Sequence, residues 1–334
     1  RSVEFDITPK CNSKCIYCMA DTRMKNPLEL STKKIIEVID ELNDLGIWSI
    51  TLSGGEPTLC SDLFEILDHT KKLELATSVF TNAILIDKKL AKKFSEYENL
   101  FMQISLDSSN PSHHDKHRGV NGAFKKTLQG IKNLLESDIF IEIATIVSPI
   151  NIDDMEELTS FVHNLGIKSI RISPAAIVGK ACDIEEKLQL DKNQLMNLGK
   201  RIERLNKKYK GSLIISKSPH MVRFSGNASS KEPLKKCGVG KNNLYIAPNG
   251  FVYPCMLLAF PEFLLGDIKK EKVSKIWNES PILKKFRDLS IDSFEKCNSC
   301  KFKEICNGGC RGIAYIAHKS IKAPDPIFCS YFGV

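Results

Sequence analysis

Residues 49–72 read SITLSGGEPTLCSDLFEILDHTKK and contain, in order, a short strand, a glycine-containing turn and a helical segment. The apolar run SITLS predicts the strand, and the helix is predicted from Ser61 to Lys72. This order of strand and helix occurs six times between Val3 and Tyr209. Strands separated by helices pair in parallel through right-handed crossovers. The sequence therefore predicts an α/β fold, with the strands curved into a barrel or spread as an open, doubly wound sheet.

The other five strand–helix units follow the same pattern. Their strands are read from the runs VEFDIT, ATSVFT, LFMQISL, IFIEIATIV and SIRIS. Their helices are predicted over residues 31–45, 87–95, 122–136, 153–165 and 191–209. Ser31 and Asp153 are predicted N-caps, and Gly46 and Gly166 stand where two helices should end. Because six units are fewer than the eight of a closed barrel, we predict a partial (βα)6 TIM-like barrel, with the doubly wound sheet as the alternative.

Composition excludes several classes of protein. Of the 334 residues, 42% are hydrophobic and 26% are charged, which is typical of globular domains. The longest apolar run, residues 255–265, is too short for a transmembrane helix and contains Pro261. The net charge is +8, but both signs are spread along the chain, which gives little support to a nucleic-acid partner. The chain opens at Arg1 and soon enters a strand, so we expect no secretory signal, no membrane association and a cytoplasmic protein.

The carboxyl-terminal third differs in character from the strand–helix repeat. The periodicity is lost over residues 211–236, where Ser, Gly, Pro and Lys predict a linker. From Cys237 onward the strands are short, Gly and Pro are frequent, and cysteines replace the aliphatic core. Metal clusters would supply the cross-links that such a segment needs. We therefore predict three parts: the barrel at 1–210, the linker at 211–236 and a small Cys-rich domain at 237–334.

The twelve cysteines are unevenly distributed, with three between Cys11 and Cys18 and seven between Cys237 and Cys329. Clustered cysteines in a large chain without a signal sequence point to metal-bound thiolates rather than to disulfides. Cys11, Cys15 and Cys18 follow the first strand in C-x3-C-x2-C spacing. Three thiolates can hold three irons of a cubane cluster and leave the fourth iron without a protein ligand. Zinc is the competing metal, but it needs a fourth ligand, and no further Cys or His precedes the first helix.

Three more strands end in polar loops. SGGEP at 53–57 follows the second strand, Thr81 and Asn82 follow the third, and SLD at 105–107 follows the fourth. In parallel α/β folds the chemistry lies at the carboxyl ends of the strands. We therefore expect these loops and the cysteine triplet to share one rim.

Several residues near this rim have less specific signals. His113, His114 and His117 are predicted to lie in a polar turn rather than to bind metal. Asp107 is predicted in a turn or an N-cap, with a role as a base as the alternative. Cys60 is predicted to be a buried core thiol, and so is Cys182 unless it binds a cluster, since unpaired cysteines are commonly buried.

The spacing CNSKCIYC, with Tyr17 before its last cysteine, and the SGGEP turn resemble the radical S-adenosylmethionine (radical SAM) superfamily over residues 3–210. The resemblance implies a [4Fe-4S] cluster on Cys11, Cys15 and Cys18, whose open iron is chelated by the amino and carboxylate groups of SAM. It also implies a set of SAM contacts: Tyr17 near the adenine, Gly54, Gly55 and Glu56 at the amino group, Asn82 in a TNA that stands for the TNG of many relatives, and Ser105 and Arg118 at the ribose and carboxylate.

The seven carboxyl-terminal cysteines are similar in order to the SPASM extension of radical SAM enzymes, which binds two auxiliary iron–sulfur clusters. The resemblance assigns four of them to an outer cluster: Cys297, Cys300, Cys306 and Cys329. It assigns three to an inner cluster, nearer the active site: Cys237, Cys255 and Cys310. Many relatives carry an eighth cysteine just upstream, but residues 229–236 contain none. The fourth inner ligand is left open between a non-cysteine group, water, the substrate and Cys182, and zinc remains the alternative for the CxxC pairs.

The resemblance implies an oxidoreductase that cleaves SAM reductively to a 5′-deoxyadenosyl radical, which abstracts hydrogen from a peptide or protein. The product would be a crosslink, a thioether or an epimer, and the partners would be that substrate and a reductase such as flavodoxin or ferredoxin. An anaerobic sulfatase-type maturase and a tetrapyrrole-modifying enzyme are alternatives of the same class. A non-catalytic electron-transfer iron–sulfur protein and a zinc-stabilised binding module are alternatives of other classes. No side chain is assigned as catalytic.

Overall fold

A ten-stranded sheet organises the chain in the computed structural model, which describes residues 1–19, 29–217, 237–332 and 334. The strands are β1 (Ser2–Thr8), β2 (Ser49–Gly54), β3 (Ala76–Thr81), β4 (Leu100–Ser105), β5 (Ile141–Val147), β6 (Ser169–Pro174), β7 (Ile214–Lys217), β8 (Asn243–Ile246), β9 (Phe251–Tyr253) and β10 (Gly266–Asp267). Strands β1 to β7 lie side by side in chain order, and each neighbouring pair is parallel. The predicted α/β fold with a partial barrel of parallel strands is confirmed.

The carboxyl-terminal part of the chain extends the same sheet. Strand β8 pairs in parallel with β1, and β9 and β10 continue beyond it as antiparallel neighbours. At the opposite edge, β7 adds a parallel strand inside the stretch predicted to be a linker. Residues 218–236 of that linker lie outside the described residues. The Cys-rich segment is thus joined to the barrel by strand pairing, and the division into three parts stays a prediction.

Helices connect the parallel strands and pack against the sheet. In the barrel they are α1 (Thr32–Asp44), α2 (Leu63–Lys72), α3 (Lys88–Phe94), α4 (Pro111–Arg118), α5 (Ala123–Glu136), α6 (Met155–Asn164), α7 (Glu185–Leu188) and α8 (Lys192–Lys208). The Cys-rich segment contributes α9 (Val273–Glu279), α10 (Pro281–Arg287), α11 (Lys303–Cys306), α12 (Arg311–His318) and α13 (Pro326–Phe332). None of the helices in the described residues is long and apolar enough to cross a membrane.

Alternation along the strands places apolar side chains in the core and several polar side chains on the face towards the barrel interior. On β1, Val3 and Phe5 are buried in the main hydrophobic core, whereas Glu4 between them lines the barrel interior. Strand register places Thr51 of β2 beside Glu4 and Ser78 of β3 beside Thr51. Both hydroxyl side chains also line the interior. Because side chains alternate between the two faces of a strand, the residues that build the core leave a polar lining on the other face.

Helix α4 contradicts the polar turn predicted after β4. The side-chain oxygen of Asn110 caps its first turn by accepting a hydrogen bond from Ser112 N at 3.0 Å, and Gly119 ends the helix at φ +65°. The helix lacks an apolar stripe, so hydrophobic periodicity gives no signal for it. His114 and His117 are nevertheless fully buried. The prediction of a polar turn for these histidines is therefore wrong.

The predicted N-caps are confirmed at one helix and wrong at another. Ser31 begins α1, where its side chain accepts a backbone hydrogen bond at 3.3 Å. Asp153 lies in a 3-10 turn before α6, and its carboxylate pairs with Arg201 at 3.3 Å instead of capping the helix. Gly46 and Gly166 have φ of +72° and +83° just after α1 and α6, as predicted for helix ends.

Candidate active site

The barrel interior holds a cavity of about 680 Å³, which is within the size range of small-molecule sites. Its lining includes all seven residues that the resemblance assigns to SAM: Tyr17, Gly54, Gly55, Glu56, Asn82, Ser105 and Arg118. Cys15 and Cys18 line the same cavity, and so does Cys255 from the Cys-rich segment. The structure therefore places the predicted SAM contacts, two thiols of the triplet and one auxiliary cysteine around one space.

The cysteine triplet lies on residues 9–19, here called the cysteine loop, and the end of α4 holds this loop in place. Lys14 N donates a hydrogen bond to the Arg118 carbonyl at 2.9 Å, and Ile16 N donates to the His117 carbonyl at 3.0 Å. These are carbonyl groups of the last turn of α4, which have no partner within the helix. The loop thus satisfies the end of α4, and α4 fixes the loop.

The SGGEP loop packs against the cysteine loop from the other side. Gly55 N donates to the Thr8 carbonyl at 2.8 Å, and Glu56 N donates to the Lys10 carbonyl at 2.8 Å. A side chain at Gly55 would place its Cβ 2.2 Å from the Lys10 carbonyl oxygen. Only glycine permits this close approach of two backbones.

The thiols of the cysteine loop are close enough to affect one another's charge. Burial raises the pKa of Cys15 to about 11 and also raises the pKa of Cys11, and the thiolate of Cys18 raises both. Within the described residues, no three His, Cys, Asp or Glu side chains converge on the position of a single metal ion. Each thiolate of a cubane cluster binds a different iron, and the three thiols of this loop would supply ligands for three irons. Bound iron would keep these thiols deprotonated.

Glu56 is 1% exposed, and its carboxylate is engaged by its own surroundings. Oε1 accepts hydrogen bonds from the Thr58 hydroxyl at 2.6 Å and the Thr81 hydroxyl at 2.5 Å, and Oε2 accepts one from Asn82 N at 2.7 Å. These bonds fix the SGGEP loop against the end of β3. Glu56 therefore orients its loop in this structure, and its direct contact with the SAM amino group stays a prediction.

Asn82 joins the end of β3 to the cysteine loop. Its Nδ2 donates to Asn12 Oδ1 at 2.7 Å and to Ser13 Oγ at 3.3 Å, and its Oδ1 accepts from Ile84 N at 2.9 Å. Ala83 has φ +59°, a left-handed conformation that glycine adopts without strain. This explains why glycine suits the corresponding position of the TNG pattern. Asn82 holds the cysteine loop, and its contact with SAM stays a prediction.

Tyr17 connects the cysteine loop to a buried charged cluster. Its hydroxyl donates to Asp107 Oδ2 at 2.6 Å and accepts from Arg118 Nη1 at 2.5 Å. Its ring packs edge-on against the His117 ring, with 5.5 Å between the two ring centres. Asp107 Oδ1 also accepts from Ile146 N at 3.0 Å. Within the described residues, Arg118 Nε is buried and has no hydrogen-bond partner. Arg118 Nη1 also lies 3.6 Å from Asp107 Oδ2, so the charge of Arg118 is paired. Its unused Nε donor and its place in the cavity lining fit the carboxylate of a bound SAM.

Asp107 is fully buried, and the sequence signal for a turn or cap did not indicate this. Burial alone would raise the pKa of Asp107, but the contact with His117 and the charge of Arg118 hold it well below its ordinary value. His114 Nδ1 accepts from Asp107 N at 3.2 Å, and burial lowers the pKa of His114 to about 4. Sequence reasoning missed this cluster because a polar helix gives no sign of which of its histidines are buried.

The low pKa of His114 predicts a loss of stability in mild acid. As the pH falls from 6.5 towards 4, the unfolded chain binds a proton on His114 that the folded chain excludes. The free energy of unfolding should then fall by at most about 1.4 kcal/mol per pH unit. His114→Asn keeps an acceptor for the Asp107 N–H and should remove this slope, as measured by urea unfolding near neutral pH and near pH 5. His163→Asn on α6 is the control, and equal slopes in the wild type and His114→Asn would contradict the prediction.

Four cysteines of the Cys-rich segment line a second, smaller cavity: Cys297, Cys300, Cys306 and Cys329. These are the four that the resemblance assigns to the outer cluster. Burial raises the pKa of Cys329 to about 11, and the thiolates of Cys297 and Cys300 raise it further. Phe302 and Phe328 supply apolar walls. A shared cavity of thiols with apolar walls fits a cluster that is shielded from water.

The three cysteines assigned to the inner cluster also lie close to one another. Burial raises the pKa of Cys310 to about 12 and that of Cys255 well above its ordinary value, and the thiolate of Cys237 raises both. Cys182, the suggested fourth ligand, is exposed, and its thiol donates to the Ile177 carbonyl at 3.6 Å. The alternative prediction that Cys182 is a core thiol is therefore wrong. The identity of the fourth ligand stays a prediction.

Two family models match the chain. A radical SAM superfamily model matches residues 5–162, and a SPASM model, described as an iron–sulfur cluster-binding domain, matches residues 237–301. The chain belongs to the radical SAM superfamily. As a radical SAM enzyme with a SPASM region, it uses SAM and iron–sulfur clusters. The thiol groups, the unpaired Arg118 donor and the cavity fit these cofactors.

Relatives of this radical SAM enzyme match it over most of its length. An AdoMet-dependent heme synthase of Methanosarcina barkeri is 27% identical over 345 residues, covering 99% of this chain and 96% of the relative. Mycofactocin maturase MftC of Mycolicibacterium smegmatis is 26% identical over 325 residues, covering 96% and 81%. The solved structure of Streptococcus suis SuiB bound to precursor peptide SuiA gives a TM-score of 0.80 at 20% identity, covering 97% of this chain and 74% of SuiB. The last comparison shows a shared fold.

Proposed function

We propose that this radical SAM enzyme modifies a peptide or protein by hydrogen abstraction within the barrel interior. The bound cofactors supply the reductive cleavage of SAM to a 5′-deoxyadenosyl radical. The chain supplies the orientation of SAM, the exclusion of water and a route for electrons. A crosslink, a thioether or an epimer in the substrate is the expected product.

The observation that carries this proposal is the lining of one cavity by both cysteine sets. Cys15 and Cys18 approach it from the cysteine loop, and Cys255 approaches it from the Cys-rich segment. A substrate in this cavity would lie between the site of SAM cleavage and the inner auxiliary cluster. That position suits a reaction in which an electron leaves the substrate after hydrogen abstraction. A purely electron-transferring iron–sulfur protein has no need of such a cavity.

Polar and charged side chains among the lining residues of the barrel interior support a peptide as the substrate. Glu4 and Asp6 from β1, Gln103 from β4 and Arg171 from β6 line the cavity. Such a lining can accept polar side chains and the amide groups of a backbone. The similarity to mycofactocin maturase MftC also supports a ribosomally made peptide as the substrate.

A tetrapyrrole is the second candidate substrate, because the similarity to AdoMet-dependent heme synthase spans 99% of this chain. Arg171 in the cavity could pair with a carboxylate of such a ligand, although its Nη2 already binds Glu142 at 2.9 Å. Titration of the protein with an iron tetrapyrrole, followed by its visible absorption, tests this candidate directly.

We also propose the finer cofactor and partner assignments. The Cys-rich segment would hold two auxiliary clusters, an outer one on Cys297, Cys300, Cys306 and Cys329 and an inner one on Cys237, Cys255 and Cys310. A flavodoxin or ferredoxin would supply electrons in the cytoplasm, and no nucleic acid or membrane would take part.

The test of the proposed function is the chemical fate of SAM and substrate. Anaerobically reconstituted, reduced protein is incubated with SAM and analysed for 5′-deoxyadenosine, first alone and then with short peptides encoded beside its gene. We expect 5′-deoxyadenosine in all samples and a change in peptide mass with the cognate peptide. Absence of cleavage in a fully loaded, reduced sample would contradict the enzyme proposal. A parallel sample contains an iron tetrapyrrole in place of the peptide. If SAM is cleaved and the tetrapyrrole is converted while no peptide changes in mass, the second candidate is favoured.

A further inference from the structure

Arg311 is a buried cation whose hydrogen-bonding capacity the protein only partly uses. It directly follows Cys310 at the start of α12 and is 2% exposed. Its Nη1 donates to the carbonyl oxygens of Ile321 and Ala323, each at 2.8 Å. Within the described residues, its Nε and Nη2 are buried and have no hydrogen-bond partner. Leaving donors of a buried cation unpaired costs free energy, so these two atoms point to an acceptor that the described part of the polypeptide does not supply.

The nearest carboxylate does not supply that acceptor. Asp325 is 2% exposed and raises the pKa of Arg311 by its charge, so the two groups are close. However, Asp325 Oδ2 accepts from Cys310 N at 2.7 Å, and Oδ1 accepts from Ile327 N at 2.9 Å and from Phe328 N at 3.2 Å. Asp325 is thus used to shape the backbone around Cys310 and does not form an ion pair with the guanidinium.

Arg311 lies next to Gly308, which is part of the wall of the cavity that the four outer thiols share. The guanidinium carbon lies 4.2 Å from the centre of the Phe294 ring. A Cβ built on Gly308 would lie 3.5 Å from Arg311 Nη2, and Gly308 lines the outer cavity. The charge of Arg311 also lowers the pKa of Cys297, against the effect of burial. Arg311 Nη2 is therefore placed near the wall of the outer thiol cavity.

Arg311 is also adjacent to an inner cysteine, because it directly follows Cys310 at the start of α12. Burial lowers the pKa of Arg311, and the charges of Cys237 and Cys310 oppose this shift, as does that of Cys297 from the outer group. Arg311 thus interacts with members of both groups of cysteines. Because thiolates and cluster sulfides accept N–H hydrogen bonds, clusters held by these cysteines would supply the missing acceptors.

We propose that Arg311 bridges the two auxiliary clusters by donating Nε–H and Nη2–H hydrogen bonds to their sulfur atoms, and that it raises the reduction potentials of both. This inference rests on the proposed presence of two auxiliary clusters. Reduction adds negative charge to a cluster, so a buried cation and N–H donors stabilise the reduced form more than the oxidised form. A cation shared by both clusters also stabilises an electron on either of them.

The experiment compares the reduction potentials of wild type, Arg311→Gln, Arg311→Lys and the control Arg201→Gln. Each is measured by potentiometric titration of the fully loaded protein with electron paramagnetic resonance as the readout. Arg201 lies on α8 and pairs with Glu156 and Asp153, so its replacement removes the same charge from a residue whose ion-pair partners are carboxylates and not cysteines. Arg311→Gln should shift both auxiliary potentials to more negative values and leave the amino-terminal cluster unchanged. Arg311→Lys keeps the charge with a different donor geometry and should give smaller shifts.

The outcomes separate this inference from the proposal on which it rests. Iron and sulfide analysis of the wild type reports whether three clusters are present, and fewer clusters would overturn the two-cluster assignment itself. With three clusters present, unchanged auxiliary potentials in Arg311→Gln would overturn the role of Arg311 alone. If Arg311→Gln fails to retain its iron, the reduction potentials of Arg311→Lys are the test. Auxiliary potentials equal to those of the wild type in Arg311→Lys would overturn the inference.

Discussion

A Cys15→Ala variant is expected to lose the amino-terminal cluster and, with it, all reductive cleavage of SAM. Cys15 lines the main cavity, is half-buried and lies beside the thiols of Cys11 and Cys18. With two thiolates left, the loop would no longer hold three irons of a cubane. The variant should therefore contain about four fewer iron atoms than the wild type and form no 5′-deoxyadenosine. Iron analysis and chromatography of the reaction mixture measure the two effects.

The controls for this prediction are the two cysteines outside the three groups. Cys60 packs against the hydrophobic core, and Cys182 is exposed. Cys60→Ala should keep the wild-type iron content and SAM cleavage. Cys182→Ala removes a candidate fourth ligand of the inner cluster, and it should keep SAM cleavage. The auxiliary clusters of Cys15→Ala should also keep their spectra, since Cys237 and Cys310 lie in the Cys-rich segment. Retention of cleavage by Cys15→Ala would mean that the cysteine loop is not the site of SAM activation.

Sequence periodicity predicts local elements of this fold well and long-range pairing poorly. The run VEFDIT alternates apolar and polar side chains, and it forms β1 as predicted. Strand β7 has four residues in a stretch rich in Ser, Gly and Lys, so it gives too short a signal. The pairing of β8 with β1 joins Ser2 to Asn243. Such a contact depends on the three-dimensional path of the chain, and no local pattern reports it.

The same holds for the candidate site: the sequence predicts which residues belong to it, but not the tertiary contacts between them. The seven predicted SAM contacts line one cavity because each lies on the cysteine loop or close to the end of a strand or α4, and parallel strands bring these ends to one rim. The hydrogen bonds that the Glu56 carboxylate accepts from Thr58, Thr81 and Asn82 could not be predicted from SGGEP, because they depend on where β3 ends. The hydrogen bond between Tyr17 and the buried Asp107 could not be predicted either, since 90 residues separate them along the chain.

A Gly55→Ala variant is expected to lose SAM binding by displacing the cysteine loop, although residue 55 carries no functional side chain. The new Cβ would lie 2.2 Å from the Lys10 carbonyl oxygen and 2.8 Å from the Pro9 carbonyl oxygen. Real contacts are never this short, so the backbone before Cys11 must move away from the SGGEP loop. Overpacking of this kind costs about 1–3 kcal/mol. We expect SAM affinity to fall by about tenfold or more, since each 1.4 kcal/mol corresponds to a factor of ten.

Gly46→Ala is the matched control for this effect. Gly46 has φ +72° and ends α1, and a Cβ built there meets no atom within 4 Å. Its replacement should lower the free energy of unfolding by about 1 kcal/mol through backbone strain alone. Calorimetric titration with SAM and urea unfolding of both loaded variants separate the two effects. If Gly55→Ala loses stability as Gly46→Ala does but binds SAM with wild-type affinity, the two loops do not need their close contact to hold SAM.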